Sequence, residues 1–300
     1  MKKHFFQKLF KLASLLLFLH LLILLVLVFS LSYPNPFKAF YRTPPPEIPF
    51  LQEIANETPL WFFSKPACPA VFLIAHGRSH DKSYMRPLIE RVWKESNLCI
   101  LAIDLPSHGE RSYGTTTIGP REKSAISDAF VWMKQKKHHN VILYGVSMGG
   151  SAIIHALQTP PKDIYIQGYI TDGTYSELSS LVEHVAESIH MPTYIQILGI
   201  DIVNWWVGYT IQTVRPKDIT PALPYPYLAL HGSFDHLAPI FSAQELTKKN
   251  HNALFYHYNG GHDQPENKHM QDCVLSFFES LQQTKEPWQH SLSCSNDNNH

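Results

Sequence analysis

The residues Gly145-Val146-Ser147-Met148-Gly149-Gly150 follow the strand-like run VILYGV and precede a helical stretch starting at Ser151. A G-x-S-x-G between a strand and a helix makes a turn so tight that a side chain at either glycine would clash, and it leaves the serine strained and presented for attack. A serine hydroxyl is a weak nucleophile near neutral pH and needs an imidazole to take its proton. Of the eighteen histidines, His262 has the right position: a loop, Gly260-Gly261-His262-Asp263, after the last strand-like run and before a terminal helix. The imidazole in turn needs an acid that holds its tautomer and stabilises the imidazolium. Asp235 in HGSFDHLAP supplies it, within an H-G-x-x-D-x-x-x-P pattern; Asp172, at the end of IQGYITD, is the rival. Asp172 reads otherwise as a turn-capping carboxylate, and Asp104 as a loop residue capping nearby N–H groups.

These residues need a scaffold, and the chain provides one. VFLIA (71–75), LCILAID (98–104), VILYGV (141–146), IQGYITD (166–172), PYLALHG (226–232) and LFYHY (254–258) are short apolar runs separated by amphipathic stretches. The alternation predicts an α/β fold, a mostly parallel sheet with helices on both faces. LWFF (60–63) reads as one extra edge strand. In such sheets ligands sit beyond the carboxyl ends of the strands, which is where Ser147, Asp172, Asp235 and His262 fall.

With these motifs in place, residues 60–281 resemble α/β-hydrolase serine hydrolases, with an elbow similar to those of monoglyceride lipases and small bacterial esterases. The matching landmarks are His76-Gly77, DLPSHGERS (104–112), GVSMGG, and the pair HGSFDHLAP and GGHDQPE. The resemblance implies an α/β-hydrolase fold with a small helical insert before the penultimate strand, the Ser147, Asp235 and His262 triad, and no cofactor. It also implies an oxyanion hole built from the backbone N–H groups of Arg78 and Met148. Arginine departs from the small or apolar residue expected there; its side chain either turns to solvent or Asp81, or binds an anionic group of a substrate. No H-E-x-x-H or comparable spacing points to a metal.

The ends of the chain read differently. Leu12 to Leu31 is an apolar run of the length of a bilayer core, roughly 30 Å at about 1.5 Å per residue. Four lysines precede it, so the positive-inside bias puts the N-terminus in the cytoplasm and the body across the membrane. Ser30-Leu31-Ser32 offers a signal-cleavage exit, which would release the body. The expected organisation is a basic segment 1–11, a signal-anchor 12–31, a proline-rich stalk 32–49, a hydrolase domain 50–284 with its insert at 176–224, and a flexible tail 285–300. A 300-residue chain with 44% hydrophobic and 17% charged residues is not mainly disordered. Its net charge of zero hides an asymmetry: six of the 25 bases and none of the 25 acids lie in the first 42 residues. The acidic remainder lacks the footprint that attracts phosphate backbones, so nucleic acid is not an expected partner. Four cysteines, without a C-x-x-C, read neither as a disulfide scaffold nor as a zinc finger, and leave the redox compartment open.

The insert holds an amphipathic first half, with Leu178, Leu181, Val182, Val185 and Ile189 at helical spacing. Its second half (194–211) is apolar nearly all round and must be covered by protein, substrate or lipid. It is either a crossover helix packed on the sheet or a cap beside the bilayer. The expectation is therefore a membrane-tethered serine hydrolase of a carboxylic ester of small or medium acyl chain, its substrate a small-molecule or lipid-like ester. Thioesterase, acyltransferase and peptidase chemistry use the same residues, and an inactive membrane-anchored binding module is the alternative of another class. Oligomeric state is not legible.

Overall fold

A computed structural model describes residues 2–34, 45–111, 113–283 and 287–294. Most of the expected stalk (35–44) and the last six residues lie outside them. The sheet has eight strands: β1 (Leu51–Ala55), β2 (Thr58–Phe63), β3 (Val71–Ala75), β4 (Cys99–Ile103), β5 (Asn140–Val146), β6 (Tyr165–Asp172), β7 (Tyr227–Gly232) and β8 (Ala253–Tyr258). Their spatial order is β1-β2-β4-β3-β5-β6-β7-β8. β2 pairs antiparallel with β1 and β4, and all later pairings are parallel.

The six apolar runs are all strands, and β2 through β5 are buried nearly throughout because helices cover both faces. The LWFF run is not the edge. That place belongs to β1, whose sequence LQEIA lacks an apolar run because an edge strand pairs on one side only and is largely exposed. Glu53 of β1 is held by Lys136 Nζ at 2.7 Å and Trp132 Nε1 at 2.5 Å.

On one face α3 (Lys123–Gln135) and α4 (Met148–Ala156) pack with the insert helices α5 (Leu178–Ser188) and α6 (Thr193–Val207) around Leu73, Leu143 and Tyr169. On the other, α2 (Arg86–Glu95) and α9 (Lys268–Gln282) cover Phe72, Tyr144 and Ile170. The short helices α7 (Pro216–Ile219) and α8 (Phe241–Thr247) flank β7.

All four cysteines are paired, Cys68 with Cys99 and Cys273 with Cys294. Pairs 31 and 21 residues apart in a chain of this size carry no spacing signature, so only the fold brings them together. The second bridge corrects the reading of residues from 285 onward as a loose tail. Trp288 of α10 (Trp288–Ser291) packs edge-on against Phe277 and donates to Asn252 Oδ1 at 2.7 Å, so the described part of this segment belongs to the body.

The N-terminal helix α1 runs Lys2–Ser32, and its Phe6–Ser32 stretch is long and apolar enough to cross a membrane. Its second half lies alongside α6 in parallel. His20 stacks on Tyr194, Leu24 and Leu27 lie over Gly199, and Trp206 Nε1 donates to Tyr33 Oη at 3.2 Å. The insert's second half is thus a crossover helix whose inner residues Ile195, Ile200, Val203 and Val207 are buried in the body. Tyr194, Ile197, Leu198 and Trp205 stay exposed beside α1.

Candidate active site

The turn between β5 and α4 holds Ser147 at φ 50°, ψ −111°, a conformation that non-glycine residues rarely adopt. The flanking glycines are sterically required. A Cβ on Gly145 would lie 2.5 Å from the Gly149 carbonyl carbon, and one on Gly149 would lie 2.4 Å from the Ala75 oxygen. Ser147 N–H donates to Asp172 O at 2.8 Å, and Thr174 Oγ1 donates to Ser147 O at 3.1 Å, so the end of β6 supports the strained turn. Ser147 is only 7% exposed, more enclosed than the sequence suggested.

His262 and Asp235 lie in the loops after β8 and β7. Phe234 N–H donates to Gly260 O at 2.9 Å, joining the two loops. His262 Nδ1 and Asp235 Oδ2 are 2.6 Å apart, and the other carboxylate oxygen accepts from Leu237 N and Ala238 N at 2.9 and 2.8 Å. The carboxylate is therefore fixed, and the ring bonded through Nδ1 has Nε2 free to serve as a base. Gly173 follows Asp172, whose carbonyl holds the Ser147 N–H, and it adjoins the His262 ring. A Cβ there would come within 3.1 Å of His262 Nδ1 and 3.3 Å of Asp235 Oδ2, so this glycine lets the ring lie against the end of β6.

The expected oxyanion residues come from two elements. Met148 is the first residue of α4, and a helix leaves its first N–H groups without intrahelical partners and its N-terminus partly positive. Arg78 follows the His76-Gly77 pair after β3. The buried His76 braces that loop: its Nε2 accepts from Leu105 N–H at 3.0 Å and its Nδ1 donates to Gly77 O at 2.7 Å. Burial lowers the His76 pKa to about 4, so this imidazole is neutral and structural.

A family model, the Alpha/beta hydrolase family, matches residues 71–267, a span that contains each of these groups. The chain belongs to the Alpha/beta hydrolase family. Among curated proteins it is similar to the uncharacterized protein YqkD of Bacillus subtilis (strain 168), 23% identical over 234 residues that cover 73% of this chain and 74% of that one. Among solved structures it is similar to the Pyrococcus furiosus esterase Pf2001, with a TM-score of 0.62 at 19% identity, covering 85% of this chain and 99% of that one. A thermophilic esterase from Thermogutta terrifontis gives a TM-score of 0.56 at 15% identity, covering 78% and 100%. A bromoperoxidase from Bacillus anthracis gives 0.55 at 15% identity, covering 77% and 100%. At such identities the likeness is one of fold, and the chemistry has to be argued from the site.

In this α/β hydrolase the side chain of Arg78 does neither of the things its sequence position suggested. Its guanidinium reaches the carbonyl oxygens of Ser30 and Tyr33, at the end of α1. Asp81 turns instead to the backbone and hydroxyl of Ser83. Asp172 is likewise no turn cap: it is fully buried and accepts from the hydroxyls of Tyr144 and Tyr258, both at 2.9 Å. Asp104 does cap N–H groups, those of Lys82 and Glu110 at 2.9 Å, and also pairs with Lys82 Nζ at 2.6 Å. Among the described residues no group of three or more His, Cys, Asp or Glu could hold a metal.

Two supporting residues were not singled out from the sequence. Asp263 lies beside Gly77 and 3.2 Å from His80 Nε2, and its carbonyl accepts from Tyr84 Oη at 2.7 Å, which ties the His262 loop to the Arg78 loop. Glu122 is fully buried and accepts from Thr116 Oγ1, Thr117 N, Thr117 Oγ1 and Gly119 N at 2.7–3.0 Å, which shapes the loop before α3. Only its position three residues after Gly119, ahead of a helix, hinted at capping.

The electrostatics of the pair bear on pH dependence. Burial works against a charged His262, but the hydrogen bond and charge of Asp235, with Asp263 and Asp172 further off, outweigh it and raise its pKa above 6.5. Burial likewise works against a charged Asp235, and the His262 bond and charge outweigh it, so its pKa is lowered. A base acts only when neutral, so activity falls as pH drops through the His262 pKa. The acid limb of kcat/KM is expected to have its midpoint above 6.5, and Asp263→Asn is expected to move it down. A rate profile on a pH-insensitive ester checks both; a limb centred at or below 6.5 argues against His262 as the base.

Proposed function

We propose that the protein is a membrane-tethered serine hydrolase that cleaves a carboxylic ester through an acyl-enzyme. The observation that carries the reading is a strained serine at a strand–helix turn, on the same end of the parallel strands as an imidazole whose Nδ1 is held by a buried carboxylate. Ser147 Oγ attacks the carbonyl carbon while His262 Nε2 takes its proton. The oxygen that gains charge is stabilised by the N–H groups of Met148 and Arg78, each worth about 3 kcal/mol. His262 returns the proton to the leaving alkoxide, which departs as the alcohol. Water then gives up a proton to His262 and attacks the acyl carbonyl, and His262 passes that proton to Ser147 Oγ as the acid leaves. No cofactor enters this sequence.

Two further observations support the setting. The two disulfides suit an oxidising compartment, in keeping with a cytoplasmic N-terminus followed by a body on the far side of the membrane. The exposed apolar residues of α6 lie beside α1, so a lipid-like ester in the adjoining leaflet is the favoured substrate class. The test is hydrolysis by the detergent-solubilised protein of p-nitrophenyl esters from acetate to palmitate, with a thioester and an anilide alongside. The expected result is turnover of esters with an optimum at medium or long acyl chains. Turnover of the anilide alone, or none in a folded sample, would overturn the reading, the latter in favour of a binding module.

A further inference from the structure

The end of the apolar helix α1 is built into the body. Ser32 is fully buried, and Val28 and Leu31 pack against the core on the α4 and α6 side. Thr116 N–H donates to Ser32 O at 2.8 Å, and Tyr113 Oη donates to Pro34 O at 2.8 Å. Phe29, Tyr33 and Tyr113 form a stacked row, with centroids 5.2 and 5.9 Å apart.

This junction touches both residues assigned to the oxyanion hole. The Arg78 guanidinium binds Ser30 O and Tyr33 O, carbonyls that a helix end leaves without intrahelical partners and that carry the negative end of its dipole. Thr116, which holds Ser32, also contacts Met148 Sδ through its hydroxyl at 3.4 Å and is fixed by Glu122 at 2.8 Å. The helix end thus reaches one donor directly and the other through a single residue.

We propose that the C-terminal end of α1 is a working part of the active site: through Arg78 and Thr116 it sets the positions of the two oxyanion donors, so Arg78 acts as a positioning residue by its side chain as well as a donor by its backbone. The proposal rests on the ester-hydrolase reading. It goes beyond it in two ways. The membrane segment is not a mere tether, and it is retained, because a cut after Ser32 would remove Ser30 O and turn Tyr33 into a loose chain end, weakening both bonds that hold the buried guanidinium. A donor displaced by a fraction of an ångström stabilises the transition state less while binding the ground state about as well.

The test uses the full chain in detergent micelles. Arg78→Met is expected to lower kcat by about 10- to 100-fold with little change in KM, and to weaken an alkylboronic acid, a mimic of the tetrahedral intermediate, in step with kcat. Arg78→Lys, which can still reach a carbonyl, recovers part of the loss. Tyr33→Ala loosens the same junction without emptying the Arg78 site, lowers kcat in the same way, and keeps the test open should Arg78→Met fail to fold. Because both variants break one junction, the double variant is expected to lose little more than Arg78→Met alone. Intact-mass analysis of the membrane-extracted protein is expected to show a chain that retains residues 30–34. Folded variants with undiminished kcat, a loss confined to KM, or a mature chain that begins at Tyr33 or later would each overturn the coupling. Should the wild type turn over no ester, the ester-hydrolase reading itself has failed, an outcome separate from active wild type with unimpaired variants.

Discussion

Ser147→Ala is expected to lower kcat/KM for the best ester by at least about 10⁴-fold, and to abolish covalent labelling by a fluorophosphonate. The size follows from the division of labour in the site. Without Oγ there is no acyl-enzyme, and what remains is substrate binding beside the N–H groups of Arg78 and Met148, which by itself leaves a residual rate well below that of the intact constellation. The substitution is clean because alanine inherits the same strained backbone at φ 50°, and the bonds supporting the turn, Ser147 N to Asp172 O and Thr174 Oγ1 to Ser147 O, are made by main-chain atoms of residue 147. The melting temperature should therefore stay within a few degrees. Labelling of wild type and not of the variant, at equal stability, is the expected pair of results. Labelling that persists in Ser147→Ala places the reactive group elsewhere and sinks the assignment.

Asp235→Asn is expected to cost on the order of 10⁴-fold in kcat, whereas Asp172→Asn costs less than about tenfold. The two carboxylates sit near the same imidazole and the sequence offers both, so the contrast is the discriminating measurement. Asp235 accepts from His262 Nδ1 at 2.6 Å through Oδ2, which also lies 3.3 Å from His231 Nε2, and from two backbone N–H groups through its other oxygen. An amide in its place removes the charge that favours the imidazolium and can turn its NH₂ toward Nδ1, selecting the wrong tautomer. Asp172 is occupied by the hydroxyls of Tyr144 and Tyr258, and burial raises its pKa against the lowering effect of those two bonds. Its two bonds hold the end of β6. Steady-state kinetics at a pH well above the acid limb measures both. Equal losses, or the larger loss at Asp172, would exchange their roles.

Much of this was readable before any coordinates because each cue is local. The apolar runs of β3 to β7 are strands because a strand buried on both faces has nowhere to place polar side chains, and β8, at the far edge, keeps an apolar run while only half-buried. The glycines around Ser147 mark the turn within six residues, although the clash that Gly149 avoids is with Ala75 at the end of β3. The preference for Asp235 over Asp172 rests on a nine-residue pattern; in the fold Asp235 is the carboxylate bonded to His262 Nδ1. β1 escaped notice because an exposed edge strand has no periodicity to display, and the amphipathic α5 was easier to read than the covering of the wholly apolar α6.

The sequence by itself determined the order of β2 to β8 and the main helices, a glycine-flanked serine on a strand–helix turn, and an N-terminal helix long and apolar enough to span a bilayer. These are matters of composition, period and short-range sterics, which the chain carries in contiguous residues. Only the tertiary structure decided the pairing of the four cysteines, the burial of Asp172 under two tyrosines, and the destination of the Arg78 side chain. Arg78 and Tyr33 are 45 residues apart, and Cys273 meets Cys294 only because Trp288 folds back onto α9. Contacts of that kind depend on how the sheet and its covering helices close in space, and no local pattern encodes which buried donor will meet which free carbonyl.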